Sequence, residues 1–265
     1  MDTKEMRRDL LNMALSAKAQ GAHMGGSLSL VEIMAALYGG AMSFDPDAPQ
    51  GEGRDRLILS KGHGVMAQYA ALKQLGVLTE EELLTYKADG SRISAHPSVN
   101  AALGIDFASG SLGQGLSLGV GVAMALQRKG NDASRIFVIL GDGECDEGSV
   151  WEAAMTASHY RLRNIVAVVD RNGLQYDGNT EDVLALADIE AKWKAFGWDA
   201  VTVDGHDVNA LADAFSIQTE KPLTVVAKTV KGKGISFMEN MPQWHNGVVT
   251  QRLYDQAVAE LEAAE

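Results

Sequence analysis

Short runs of consecutive apolar residues alternate along this chain with longer stretches in which apolar residues recur every three to four positions. The runs Leu57-Ile58-Leu59, Ile136-Phe137-Val138-Ile139-Leu140 and Ile165-Val166-Ala167-Val168-Val169, with 199–203 and 223–229, are short and rich in β-branched residues. They predict strands buried on both faces. Helices are predicted at 3–20, 29–38, about 65–75, 80–88, 114–128, 150–160, 188–196, 207–219 and 248–264, with 88–111 as loop. The stretch 114–128 is rich in Gly and Ala and apolar on most sides, which predicts burial against neighbours all round. Strands interleaved with helices predict an α/β fold, a doubly wound parallel sheet flanked by helices, as one domain over 1–265. In such a sheet the ligand site lies beyond the carboxyl ends of the strands.

The chemistry sits at two of those ends. Gly141-Asp142-Gly143 closes one apolar run, Asn172-Gly173-Leu174 closes the next, and Asn172 follows Asp142 by 30 positions, a strand–helix–strand length. A carboxylate, an amide and a backbone carbonyl near Leu174 are hard oxygen donors that suit Mg²⁺, which takes few protein ligands and completes its shell with phosphate oxygens and water. Ser149 is the expected N-cap of the following helix, whose free N–H groups could face an anion. Taken singly, Gly-Asp-Gly and Asn-Gly are ordinary turn formers; it is their spacing at two strand ends that makes them specific.

The net charge of −12 argues against nucleic acid, whose phosphates reward basic surfaces, so a polyanionic ligand must be held by local donors and metal. No apolar run approaches the length that spans a bilayer and 1–20 is a charged amphipathic stretch, so a cytoplasmic protein is expected. The one cysteine, Cys145, excludes an intrachain disulfide and reads as a passive small residue in the Gly-Asp-Gly loop. Of six histidines, His23, His63, His96, His206 and His245 fall in or beside Gly-rich loops, whereas His159 lies within a helix and reads as structural.

The Asp142-to-Asn172 segment resembles the thiamine diphosphate signature, and the words around it resemble the diphosphate-binding region of transketolases. Those words are Gly25-Gly26-Ser27-Leu28-Ser29, Leu59-Ser60-Lys61-Gly62-His63-Gly64, Ala95-His96-Pro97, Ser109-Gly110-Ser111-Leu112-Gly113-Gln114-Gly115, Val203-Asp204-Gly205-His206-Asp207 and Lys231-Gly232-Lys233-Gly234. The resemblance implies thiamine diphosphate with Mg²⁺ (or Mn²⁺ or Ca²⁺) as cofactors. It implies Asp142, Asn172 and the Leu174 carbonyl at the metal, and His63, Gly110, Ser111, Leu112, Asp142, Gly143, Asn172 and His245 at the cofactor. His23, His96 and His245 would serve catalysis as hydroxyl and carbonyl contacts, and Glu147 would join an acidic network toward a partner subunit. His206 is expected to hold a loop, and Arg171 is left unassigned. Ala22 and Ala95 stand where the family commonly has Gly; alanine disfavours positive φ, so these turns are expected to differ locally.

A full-length transketolase resembles this chain followed by a pyrimidine-binding and a C-terminal domain. The chain stops at Glu265 after an acidic, Ala-rich helical pattern that reads as a natural terminus. The resemblance therefore implies one half of a split transketolase, inert alone, with a C-terminal subunit as partner, two copies of each chain, and sugar phosphates as substrates. Exposed apolar surface is expected where the partner docks. The alternatives are the α subunit of another two-chain thiamine enzyme, such as a 2-oxoacid dehydrogenase or decarboxylase, and an orphan cofactor-binding protein.

Overall fold

A computed structural model of the chain describes residues 1–131 and 133–263. Helix α1 (Thr3–Ser16) is capped by Asp2, whose carboxylate accepts from the Lys4 and Glu5 N–H groups. Two short helices, α2 (Met24–Leu28) and α3 (Val31–Ala36), lead to strand β1 (Arg56–Leu59), then to α4 (Val65–Gln74) and α5 (Glu80–Leu83). Helix α6 (Gly115–Arg128), β2 (Ile136–Gly141), α7 (Gly148–His159) and β3 (Ile165–Arg171) follow. A hairpin of β4 (Leu174–Gln175) and β5 (Gly178–Asn179) runs into α8 (Thr180–Val183). The chain finishes with α9 (Ile189–Ala195), β6 (Asp199–Asp204), α10 (Val208–Phe215), β7 (Leu223–Lys228) and α11 (Gln251–Ala263). The C-terminal end expected at 264 lies outside the described residues.

The main sheet has the order β1-β2-β3-β7-β6, every pair parallel, as expected of a doubly wound fold. Its strands read as unbroken apolar runs because both faces are covered. In β2, Phe137 and Ile139 face the layer of α1, α3, α4 and α10, while Ile136, Val138 and Leu140 face the layer of α6, α7 and α9. Among the described residues no helix is long and apolar enough to cross a membrane.

Several expected bounds shift for local reasons. The first helix ends at Ser16 because Lys18 takes a φ of 50°, and the stretch expected to be helical at 80–88 ends at Leu83, before Lys87 at φ 63°. Residues 29–38 split into α3 and a π turn, with α2 formed ahead of them. Helix α10 stops at Phe215, and Thr219, expected inside it, turns its hydroxyl to Asp199. Ser149 does not cap α7: Glu147 occupies the cap position, and the Ser149 hydroxyl donates to the Gly113 carbonyl at 3.0 Å. Neither Ala22 nor Ala95 adopts positive φ. Ala22 instead pairs with Gly247 as a short bridge, which alanine tolerates.

Helix α6 departs most. Only one side is buried, through Gly115, Leu116, Gly119, Val120 and Ala123. A Cβ on Gly119 would stand 2.6 Å from a Val138 methyl, so the missing side chain lets the helix press onto β2. The opposite side, with Leu118 36 % exposed and open space beside Gly121, is bare.

Candidate active site

Four strands deliver their following loops to one cleft of about 500 Å³ at the carboxyl end of the sheet. Lys61 and His63 follow β1, Asp142 and Gly143 follow β2, Asn172 follows β3 and Lys231 follows β7. His23, His96 and His245 close the cleft from loops, and every residue expected at the metal, at the cofactor or in catalysis lines it except Ser111. Ser111 is exposed, while its neighbours Gly110 and Leu112 form the wall. Gly110 needs its φ of +143° and its bare Cα, since a Cβ would stand 3.1 Å from the His96 ring.

At the floor lie two buried carboxylates with different surroundings. Asp170 accepts from Lys61, Ser29, Thr229 and the Asn172 amide. Burial would raise its carboxyl, but Lys61 and these hydrogen bonds hold it below the ordinary range. Asp142 is 1 % exposed and bonds only backbone N–H groups, from Gly143 at 2.9 Å and Gly173 at 2.6 Å. Burial, and then the charge of Asp170, push it up to about 6. Asn172 donates through Nδ2 to Asp170 at 3.0 Å, which turns its carboxamide oxygen toward the Leu174 N–H, 3.1 Å away.

Among the described residues no basic side chain pairs with Asp142, so the cleft holds a carboxylate short of positive charge. It is joined by an oriented amide oxygen and the Leu174 carbonyl, which accepts from Lys231 at 3.1 Å and keeps a second lone pair. That donor set fits a hard divalent cation.

Four imidazoles line the upper cleft. The His23 ring centroid lies 5.8 Å from His63, 5.3 Å from His96 and 5.6 Å from His245, and His63 and His245 are 5.0 Å apart. Burial first, and neighbouring charged groups second, lower His23 and His245 to about 4 and hold His63 well below its ordinary value. All three are neutral at pH 7 and can donate or accept. Among the described residues His23 Nδ1 is buried without a hydrogen-bond partner. Lys231, lowered to about 8 chiefly by burial, stands 3.3 Å from His245 Nδ1. Tyr176, on the β4–β5 turn, stacks edge-on against His245 at 5.2 Å.

Sequence reasoning assigned no role to Lys61, Asp170, Lys231 or Glu144. Lys61 and Lys231 stood within transketolase-like words, and Asp170 had a visible signal as an acidic residue ending an apolar strand. Glu144 is buried, accepts from the Ser60 hydroxyl, from Gly113 N at 2.8 Å and from Gly141 N at 3.1 Å, and ties two cleft loops together. Glu147 lies exposed at the mouth. Arg171 reaches away from the cleft to Glu181 at 2.9 Å, and His159 is exposed against Tyr160. Cys145 is buried in the apolar core, with its thiol pushed up by burial and surrounding carboxylates. His206 joins two loops, as expected.

Sequence comparison places the chain that carries this cleft in a known family. The domain described as transketolase, thiamine diphosphate binding domain, matches residues 4–261. The chain belongs to the transketolase family, as its thiamine diphosphate-binding domain.

Among its relatives are two proteins named as subunits. It is 40 % identical over 264 residues to an apulose-4-phosphate transketolase subunit of Phocaeicola vulgatus, covering 98 % of this chain and 92 % of that one. It is 44 % identical over 243 residues to a 6-deoxy-6-sulfo-D-fructose transketolase subunit of a Clostridium species, covering 91 % and 88 %. Human transketolase is 36 % identical over 260 residues, but the chain spans only 41 % of its length. The crystal structure of Campylobacter jejuni transketolase superposes with a TM-score of 0.89 at 27 % identity, over 99 % of this chain and 43 % of that one. The match to transketolase subunits sets aside the 2-oxoacid dehydrogenase alternative.

Proposed function

We propose that this chain is the cofactor-binding subunit of a two-chain transketolase that moves a two-carbon ketol unit from a ketose phosphate, or a related anionic sugar, to an aldose. The observation that carries this is the Asp142, Asn172 and Leu174 oxygen set beside Lys231 and His63 at the strand ends. Asp142, Asn172 and the Leu174 carbonyl would hold Mg²⁺. His63, Lys231, Gly143 and the Gly110–Leu112 wall, with Ser111 at its edge, would receive the diphosphate. When bound, thiamine diphosphate supplies the carbon nucleophile that such a transfer requires.

The chain's own part is to position and to move protons. His23 and His96 face the space above the cofactor position and, being neutral, can donate to sugar hydroxyls. His245 can stabilise charge developing on a carbonyl oxygen, with the Lys231 ammonium 3.3 Å behind it. Glu147, exposed at the mouth, would meet the partner chain. That partner, a C-terminal subunit with a pyrimidine-binding domain, would cover the cleft and dock on α6, two copies of each chain assembling in the cytoplasm.

The test is reconstitution. The purified chain should gain thermal stability from thiamine diphosphate with Mg²⁺ and show no ketol transfer until a companion subunit is added. Transfer by the chain alone, or absence of cofactor binding, would overturn the proposal.

A further inference from the structure

Lys231 is 2 % exposed, and its ammonium meets the Leu174 carbonyl at 3.1 Å and His245 Nδ1 at 3.3 Å. A four-carbon side chain does not place itself so narrowly unless its backbone is fixed. Backbone bonds hold the loop, from the Gly232 N–H to the Gly25 carbonyl at 3.0 Å and from the Asn240 N–H to the Lys231 carbonyl at 2.8 Å, and two side chains hold it as well. The Val230 N–H donates to His206 Nε2 at 2.8 Å, and Arg7 Nε donates to the Lys233 carbonyl at 3.1 Å. Glu32 joins the two: one oxygen lies 2.9 Å from His206 Nδ1 and the other 2.7 Å from Arg7 Nη2. Arg7 and Glu32 are both buried, and a Cβ on Gly234, at φ +93°, would stand 2.6 Å from Arg7 Nε.

The hydrogen-bond logic selects one form of the histidine. A backbone N–H can only donate, so Nε2 must carry the lone pair, and the proton sits on Nδ1 where Glu32 accepts it. Glu32 therefore sets the tautomer that lets His206 hold Val230.

We propose that Arg7, Glu32 and His206 are positioning residues, a clamp on residues 230–233 that sets the Lys231 ammonium for the cofactor's diphosphate. The inference rests on the reading of the cleft as a thiamine diphosphate site. None of the three touches the cleft; each acts through the loop that bears Lys231.

The test uses the full chain. Nitrogen-15 NMR of histidine-labelled protein should show His206 as the neutral Nδ1–H tautomer, with slow exchange of the Val230 amide. Glu32→Gln and His206→Gln, each checked for fold by circular dichroism, should weaken calorimetric binding of thiamine diphosphate with Mg²⁺ by about tenfold, the lower end of what supporting groups around a metal site contribute. Lys231→Met should weaken it similarly, and His206→Gln added to Lys231→Met should cost nothing more, because both changes remove one interaction. Additive losses, unchanged affinity in folded variants, or an Nε2–H tautomer would overturn the clamp. A wild-type chain that binds no thiamine diphosphate would sink the proposed function instead, while the tautomer and amide exchange would still decide whether His206 holds the loop.

Discussion

Lys61 and Asp170 meet as an ion pair in the interior, with side chains 1 % and 0 % exposed, directly beneath the cleft. Charged residues are almost never this buried unless paired. Asp170→Ala would strand the Lys61 ammonium, and Lys61→Ala the carboxylate, so each should cost about 3–5 kcal/mol of unfolding free energy. Urea denaturation of the single and double variants checks this, and a double variant as unstable as the sum of the singles would show the pair not to be coupled.

Asp142 should behave in the opposite way. Its folded pKa of about 6 lies above the ordinary 3.8, so the contribution of this one group is fully present below that lower value and is lost as pH rises through about 6. A rise of that size corresponds to roughly 3 kcal/mol at most, which a bound cation offsets. In chelator at pH 8, Asp142→Asn should melt no lower than wild type, and Mg²⁺ should raise the melting temperature of wild type only.

The imidazoles give a second pH signature. His23 and His245 are lowered from 6.5 to about 4, so the unfolded chain binds protons in that window that the folded chain refuses. Stability from this source is present above pH 6.5 and is lost as pH falls toward 4. Melting temperature followed from pH 7 to pH 4.5 should fall more steeply for wild type than for the His23→Asn, His245→Asn variant.

Gly232 takes a φ of +84°, and a Cβ there would stand 2.2 Å from the Met238 carbonyl oxygen. Gly232→Ala should therefore destabilise the chain by more than about 1 kcal/mol and displace Lys231. Thermal melts and cofactor titration read the two effects; a variant unchanged in both would show that the turn tolerates a side chain.

The bare side of α6 carries the docking prediction. Leu118 belongs to neither apolar core cluster, so Leu118→Glu should change stability by no more than about 0.5 kcal/mol. The same change should weaken association with the companion subunit, measured by sedimentation, if that face is the interface.

The sheet was legible because both of its faces are covered, which turns β2, β3 and β7 into apolar runs that no surface strand shows. Asp142 and Asn172 were legible because they end such runs. Helix α6 departs from its expected burial for a physical reason: an apolar face left exposed and an apolar face in a core have the same composition. The Lys61–Asp170 pair and the Arg7–Glu32–His206 group were not legible as contacts, since their members lie 109 positions apart in the first case and up to 174 apart for Glu32 and His206. Only the fold brings them together. Helix caps were the least legible: Ser149 and Glu147 are two positions apart, and the Ser149 hydroxyl donates to the Gly113 carbonyl rather than accepting from an N–H at the helix start.

β7 is the last strand in the chain, yet it lies between β3 and β6. Until residues 223–228 are in place, β3 has an open edge, β6 has no neighbour in the sheet, and neither Lys231 nor His245 has arrived. A nascent chain leaving the ribosome thus has the Asp142 and Asn172 loops, proposed here to hold a metal, well before the Lys231 and His245 side of the cleft. Pairing β7 with both β3 and β6 joins segments distant in the chain, the kind of long-range contact that makes parallel sheets slow to fold. Cofactor supplied during synthesis would find its receptacle only once residues 231–245 have followed β7 into place.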